Sequence, residues 1–143
     1  MRGEMDSALV YLQRASKLHR QVGDGRGLAR DADRMATVLL IQGEVDSAFS
    51  AYRVAERLYR QVADRSGLAR TLGNLDNAYF DQDQLDRSLA AYEESLALHR
   101  QGGDESAQAA LLDRIGRIHW RQGRLQQSGD MYSSGRRDLP SAR

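Results

Sequence analysis

The sequence repeats itself every 40 residues, and this period constrains the fold more than any other feature. Three gapless units begin at Gly3, Gly43 and Asp83, and a partial fourth begins at Gly123. The first two units are identical at about 16 of 40 positions, far above chance. A chain of this kind builds stacked modules, each contacting its neighbours. We predict a single repeat domain over 1–143, made of units 3–42, 43–82, 83–122 and a partial unit 123–136, with a frayed tail at 137–143.

Each unit contains two stretches whose apolar residues recur at three- and four-residue steps, as on one face of an α-helix. The only proline, Pro140, follows the last of these stretches, so it interrupts none of them. The spacing predicts seven helices, near 4–22, 25–42, 46–62, 65–82, 86–102, 105–122 and 125–136.

Aspartates and glycines separate the predicted helices. An Asp side chain can accept hydrogen bonds from the free N–H groups at a helix start, and a Gly suits a helix end that needs a positive φ. Gly23 and Gly103 are such ends. The predicted N-caps are Asp24, Asp64 and Asp104 in one set of helices and Asp6, Asp46 and Asp86 in the other.

Composition excludes several classes of protein. The 21 Lys and Arg residues nearly balance 20 Asp and Glu residues, which argues against nucleic-acid binding. Cysteine is absent, so disulfides and thiolate chemistry are excluded. No apolar run is long enough to span a membrane, and the first residues lack the apolar core of a signal peptide. We therefore expect a cytoplasmic protein.

The arrangement of residues within each unit resembles the tetratricopeptide repeat family, in the variety with long helices and a 40-residue period. In the third unit the matching residues are Leu72, Leu75, Asp76 and Tyr79, followed by Ser88 and Tyr92. The resemblance implies an all-α fold, a right-handed α-solenoid of stacked antiparallel helix hairpins with about seven helices. It also implies a concave groove that binds a protein or peptide segment, with no enzymatic activity and no cofactor.

Small residues where two helices cross would let each hairpin close tightly. Ala36 and Ala48 form such a pair in one hairpin. The next hairpin departs from this rule, because it has Asp76 opposite Ser88. A buried carboxylate must be hydrogen-bonded or must shift its pKa. We expect Asp76 to bond Ser88 or water, and the alternative is a polar site inside the hairpin.

The groove would be lined by the first helix of each hairpin. Helical spacing places there Arg30, Thr37, Leu40, Arg70, Asn77, Phe80, Arg117, Trp120 and Arg121, accompanied by Asp33 and Asp113. Leu40, Phe80 and Trp120 hold equivalent positions in successive units and would form an apolar stripe. Such a stripe beside arginines is typical of a binding surface. The alternative is that a neighbouring helix covers it.

These observations predict a non-enzymatic scaffold for protein–protein interaction that binds a peptide or protein segment. One alternative is a peptide-sensing domain of a larger bacterial signalling regulator. Another is a self-associating module whose open ends pair with a second copy. His19 and His99 share a repeat phase with Tyr59, which indicates packing rather than metal binding. No catalytic constellation was found, so we expect neither an enzyme nor a bound metal.

Overall fold

The structure is a computed structural model that describes residues 2–123. Within that range it contains six α-helices and no strand, and each helix begins and ends within two residues of its predicted bounds. The predicted seventh helix, 125–136, lies outside the described residues. The helices are α1 (Arg2–Gln21), α2 (Gly25–Ile41), α3 (Val45–Gln61), α4 (Arg65–Asp81), α5 (Leu85–Gly102) and α6 (Glu105–Arg121).

Consecutive helices pack on each other along the whole chain, which confirms the all-α solenoid of antiparallel hairpins. The most extensive contacts join α2 to α3 and α4 to α5. Ala36 and Ala48 are completely buried in the first of these hairpins, and Asp76 and Ser88 are completely buried in the second. The small side chains thus lie where the helices approach, as the sequence predicted.

The turns between helices recur every 20 residues. Glycines occupy four of the six equivalent positions, with φ between 73° and 81° at Gly23, Gly43, Gly103 and Gly123. The other two turns place Ala63 and Asp83 in the same left-handed conformation, with φ of 53° and 57°. A side chain at positive φ is strained, so these two turns are less favourable locally than the glycine turns.

One set of predicted caps is confirmed. The carboxylates of Asp24, Asp64 and Asp104 each accept a hydrogen bond from the backbone N–H three residues later, at 2.8 to 3.0 Å. The other set was wrong. The N-caps of α3 and α5 are Glu44 and Gln84, neither of which makes a side-chain cap.

The three aspartates predicted to cap those helices lie inside helices instead. Asp46 and Asp86 occupy first turns, where a negative charge still favours the positive end of the helix dipole. Asp6 and Asp86 each accept a hydrogen bond from a glutamine 36 residues later, Gln42 and Gln122. These bonds tie the start of α1 to the end of α2 and the start of α5 to the end of α6.

Tyrosines fill the spaces between hairpins. Tyr52, Tyr59 and Tyr92 are almost fully buried, and each belongs to a different apolar cluster along the solenoid. The Tyr59 ring lies so close to α4 that a Cβ on Gly67 would stand 2.3 Å from it. Gly67 is therefore required by packing. The sequence indicated that Tyr59 packs but did not reveal this glycine contact.

Candidate functional site

The first helices of the hairpins, α2, α4 and α6, also bond directly to one another. Between α2 and α4, Asp33 accepts hydrogen bonds from Thr71 Oγ1 at 3.1 Å and from Asn74 Nδ2 at 3.3 Å. These contacts bury Asp33. Its spacing predicted that it would face the groove, and the structure shows that it does not. The three helices form one continuous surface, which we call the inner face.

Asn77 is the centre of a hydrogen-bond network on this face. Its Oδ1 accepts from the Tyr92 hydroxyl at 2.9 Å and from Arg114 Nη1 at 2.9 Å. Two donors on the oxygen fix the orientation of the amide. No residue within 2–123 accepts from its Nδ2, which leaves two N–H donors available to a ligand.

The same helix position is bonded in the preceding unit. Thr37 Oγ1 lies 3.1 Å from the Tyr52 hydroxyl, with the 15-residue separation that also relates Asn77 and Tyr92. Sequence reasoning placed Thr37 and Asn77 on the groove but missed their tyrosine partners. The signal was present, because Tyr52 and Tyr92 share a repeat phase.

Three of the predicted groove residues line one recess of about 160 Å³. They are Asn77, Phe80 and Arg117, joined by Tyr92 and Arg114, which sequence reasoning had not selected. Arg114 approaches the Tyr92 ring at 5.9 Å, and Arg117 forms an ion pair with Asp113 at 3.2 Å. The recess combines two guanidinium groups, the free amide donors and two aromatic rings. Such a lining suits an acidic or carbonyl group beside a small apolar side chain.

Phe80 extends this recess towards the end of α6. The Arg121 guanidinium lies 4.4 Å from the centre of the Phe80 ring and 3.5 Å from the Asp83 carboxylate. The other two members of the predicted stripe differ in exposure. Leu40 is half-buried against the Tyr52 cluster, as Phe80 is against the Tyr92 cluster, whereas Trp120 is 62% exposed.

Arg30 and Arg70 lie apart from that recess. Both line a second hollow of about 180 Å³ around Tyr59, where Arg70 Nη2 donates to the tyrosine hydroxyl at 3.0 Å. Arg70 precedes Asn77 by two turns of α4, so the hollows lie about 10 Å apart along the same helix. An extended segment could contact both.

Asp76 is completely buried beneath the recess, yet its carboxylate has no hydrogen-bond partner within 2–123. The expected hydrogen bond between Ser88 and the Asp76 carboxylate is not formed. Ser88 Oγ donates instead to the backbone carbonyl of Asp76 at 2.9 Å. Burial raises the pKa of Asp76 to about 8, and the nearby Tyr92 hydroxyl and Arg114 charge offset this only in part. Asp76 is therefore largely protonated at neutral pH.

The titratable residues do not assemble a metal centre in the described part of the chain. No group of three His, Cys, Asp or Glu side chains there is placed to hold an ion. His19 instead contacts the buried Asp31, with 2.6 Å between Nδ1 and the carboxylate. Among residues 2–123, no helix is both long and apolar enough to cross a bilayer.

Comparison with known proteins agrees with this architecture. The tetratricopeptide repeat model matches residues 67–137. Solved structures similar to this one include BtubC (BKLC) from P. vanneervenii (TM-score 0.75, 19% identity over 99% of this chain) and aspartyl phosphate phosphatase F from Bacillus subtilis (0.78, 17% over 89%). A protein of nearly identical TPR-like repeats from Podosopora anserina is also similar (0.73, 12% over 93%). No curated protein sequence matches the chain.

The chain belongs to the tetratricopeptide repeat family, as its repeat pattern predicted. It spans 60%, 33% and 66% of the three similar structures in the order given. At these identities the likeness concerns the fold. The match to the repeat family supports a general role as a scaffold for protein–protein interaction.

Proposed function

We propose that the inner face binds a peptide or protein segment, without catalysis and without a cofactor. The observation that carries the proposal is the fixed amide of Asn77, which offers two free donors in a recess flanked by Arg114 and Arg117. An extended segment would accept these bonds with its backbone carbonyls. Its acidic side chains would pair with the arginines.

Trp120 and Arg121 supply the other half of this site. Trp120 follows Arg117 by one turn of α6 and is largely exposed, so an apolar side chain of the ligand can pack on it. Phe80 and Leu40 contribute mainly through packing within the solenoid, because both are half-buried. We therefore assign the anchoring role to Trp120 and the polar role to Asn77 and Arg117. Arg30, Thr37 and Arg70 would extend the contact along the groove.

The experiment is a selection of displayed random peptides on the wild-type chain, followed by affinity measurements on variants. Arg117→Ala and Trp120→Ala should each weaken binding of the selected peptides by about tenfold, the size of a moderate hot spot. Arg100→Ala, an exposed change on α5, is the matched control and should leave binding unchanged. Equal affinity for all four proteins would refute the site.

Circular dichroism of the same variants separates binding from folding. Both substituted side chains are exposed, so helicity should stay at the wild-type level. A loss of helicity in Trp120→Ala would place Trp120 in the core and contradict its anchoring role. Cytoplasmic localisation stays a prediction from composition.

Self-association is a second candidate function, favoured by the exposed apolar residues of α1. Tyr11 and Leu18 lie on one side of the helix, and Val22 directly follows its end; they are 66%, 61% and 75% exposed. A second copy could cover them. Light scattering should then report a dimer or larger assembly that Leu18→Glu dissociates, whereas a monomer at high concentration would exclude this function. The alternative of a peptide-sensing regulatory domain stays a prediction from the sequence.

A further inference from the structure

A further hollow of the described chain lies away from the inner face, between α1 and α3. Its volume is about 700 Å³, and α2 forms its floor. We call it the outer cleft. The apolar lining residues are Leu28, Ala32, Met35, Ala51, Val54 and Leu58. Several of them are only half-buried, so the cleft exposes apolar surface to solvent.

The charged rim of the outer cleft is entirely basic. Lys17, Arg20 and Arg57 stand around the opening, and none of them forms an ion pair with another residue of the described range. Asp31, a carboxylate of α2, is buried and already bonded to His19 and Ser16. The cleft thus combines an apolar floor with three unpaired cations.

The equivalent place one repeat later, between α3 and α5, has a smaller hollow of about 540 Å³ and is bridged by ion pairs of the chain itself. There Arg60, the counterpart of Arg20, forms ion pairs with Glu56 at 2.8 Å and with Glu94. The glutamates correspond to Ser16 and Val54 in the outer cleft, where no acid is present. The hydrogen bond that Arg60 donates to Glu56, together with the nearby Glu94, raises the pKa of Arg60.

The apolar floor is also more completely filled between α3 and α5 than in the outer cleft. Leu72 replaces Ala32 and is 3% exposed, and Leu75, the counterpart of the half-buried Met35, is also 3% exposed. Leu28 and Leu68 are the same residue type in equivalent positions, yet only Leu68 is buried. The outer cleft lacks two carboxylates and one branched apolar side chain that its counterpart supplies internally.

We propose that the outer cleft is a second binding surface, which receives an acidic amphipathic segment of a partner protein. The missing groups define this occupant: at least two carboxylates to pair with Arg20 and its basic neighbours, and a leucine-sized side chain to cover Ala32. A fatty acid would provide apolar volume but a single carboxylate for three cations. The segment supplies what Glu56, Glu94 and Leu72 supply one repeat later.

The probe is a short fluorescein-labelled peptide, designed as an amphipathic helix with leucines on one face and glutamates on both flanks. A second peptide has glutamine in place of every glutamate. The wild-type chain should bind the glutamate peptide about tenfold more tightly than the glutamine peptide, and added salt should reduce the difference because the ion pairs are partly exposed.

Val54→Glu tests the proposal, because the chain itself then supplies one of the carboxylates that the outer cleft lacks. The new carboxylate would reach Arg20, as Glu94 reaches Arg60, and binding of the glutamate peptide should fall about tenfold. Ala90→Glu adds the same charge at an exposed position of α5 and should leave binding unchanged. The double change Arg20→Gln and Arg57→Gln removes only exposed charges and should weaken binding as much as Val54→Glu does.

Three results would overturn the proposal. The first is equal affinity of the wild-type chain for both peptides. The second is tight binding of laurate without binding of the glutamate peptide, which would assign the cleft to a lipid. The third is loss of peptide binding in Arg117→Ala with no loss in Val54→Glu, which would place the peptide on the inner face. Retained binding in Arg117→Ala supports a separate outer site even if the inner face proves inactive.

Discussion

The two spaces between alternate helices show how a regular backbone can present different surfaces. Both are formed by the same repeat positions, 40 residues apart. The space between α3 and α5 contains Leu72 and the ion pairs of Arg60 with Glu56 and Glu94. The space between α1 and α3 contains Ala32, Ser16 and Val54 in those places and remains open as the outer cleft.

A second contrast lies in the hairpin contacts. The first hairpin closes on Ala36 and Ala48, whereas the second buries Asp76, whose carboxyl group has no hydrogen-bond partner in the described chain. The unit that fills its outer space carries a carboxyl group at the hairpin contact, and the unit with two alanines at that contact leaves its outer space open. Repeat positions that set the backbone recur, and those that differ give each unit its own chemistry.

The largest effect should come from emptying the filled space. Leu72→Ala would leave a void in a well-packed cluster and should lower the free energy of unfolding by about 3 kcal/mol. Urea denaturation followed by circular dichroism measures the change. The reciprocal change, Ala32→Leu, adds a side chain where the cleft has room and should alter stability by less than about 1 kcal/mol. Equal losses in both variants would show that the two spaces are packed alike.

Replacing Asp76 with the alanine of the first unit should stabilise the chain at high pH. The folded-state pKa of Asp76 is about 8, above its ordinary value of 3.8, so between these values the folded chain binds more protons than the unfolded chain. Its contribution to the free energy of unfolding therefore falls as pH rises from about 4 to about 8. At pH 8, Asp76→Ala should be more stable than the wild type by about 2 kcal/mol.

Denaturation midpoints measured from pH 5 to pH 8 test this assignment. In the wild type, the midpoint should fall as pH rises. This slope should be flatter in Asp76→Ala. It should equal the wild-type slope in Asp81→Ala, which removes an exposed carboxylate from the same helix. A wild-type stability that increases over this range, with the increase abolished by Asp76→Ala, would mean that Asp76 is ionised and paired in the folded chain.

Exchanging glycine and alanine between two turns should have a smaller effect on stability, with opposite signs in the two turns. Ala63 holds a positive φ where the first unit has Gly23, so Ala63→Gly should raise the free energy of unfolding by about 0.5 to 1 kcal/mol. Gly23→Ala should lower it by a similar amount, because no neighbouring atom lies within 4 Å of the added Cβ and only the backbone strain remains. Thermal unfolding of both variants checks the prediction, and shifts of the same sign would contradict it.

The smallest effect should come from the ion pair itself. Glu94→Val introduces the residue of the outer cleft, and it should cost less than about 0.5 kcal/mol because both partners are about two-fifths exposed. The cost should vanish in high salt. A larger loss that persists in high salt would mean that Glu94 acts through packing rather than charge.

Much of the fold could be predicted from the sequence, because helical periodicity and the 40-residue repeat depend on local spacing. The caps at Asp24, Asp64 and Asp104 followed from the same spacing. The second set of caps could not be assigned reliably, because Glu44 and Gln84 precede those aspartates by two residues and the backbone decides where the helix begins.

The site was predicted less completely than the fold. Spacing placed Asn77, Phe80 and Arg117 on one surface, and the structure brings them to one recess. Spacing along the sequence could not reveal that Arg114 and Tyr92 bond Asn77, since those contacts join three helices. Nor could it reveal the outer cleft, whose chemistry becomes evident only when Val54 is compared with Glu94 across equivalent contacts.

The difference between the two spaces can be tested most directly by NMR titration of the wild-type chain with the glutamate peptide. The account predicts that amide shifts change around Leu28, Ala51 and Val54, while their counterparts Leu68, Ala91 and Glu94 stay unaffected. Shifts centred on Glu94, or on Asn77 of the inner face, would contradict the claim that the outer cleft is the open, unsatisfied member of the pair.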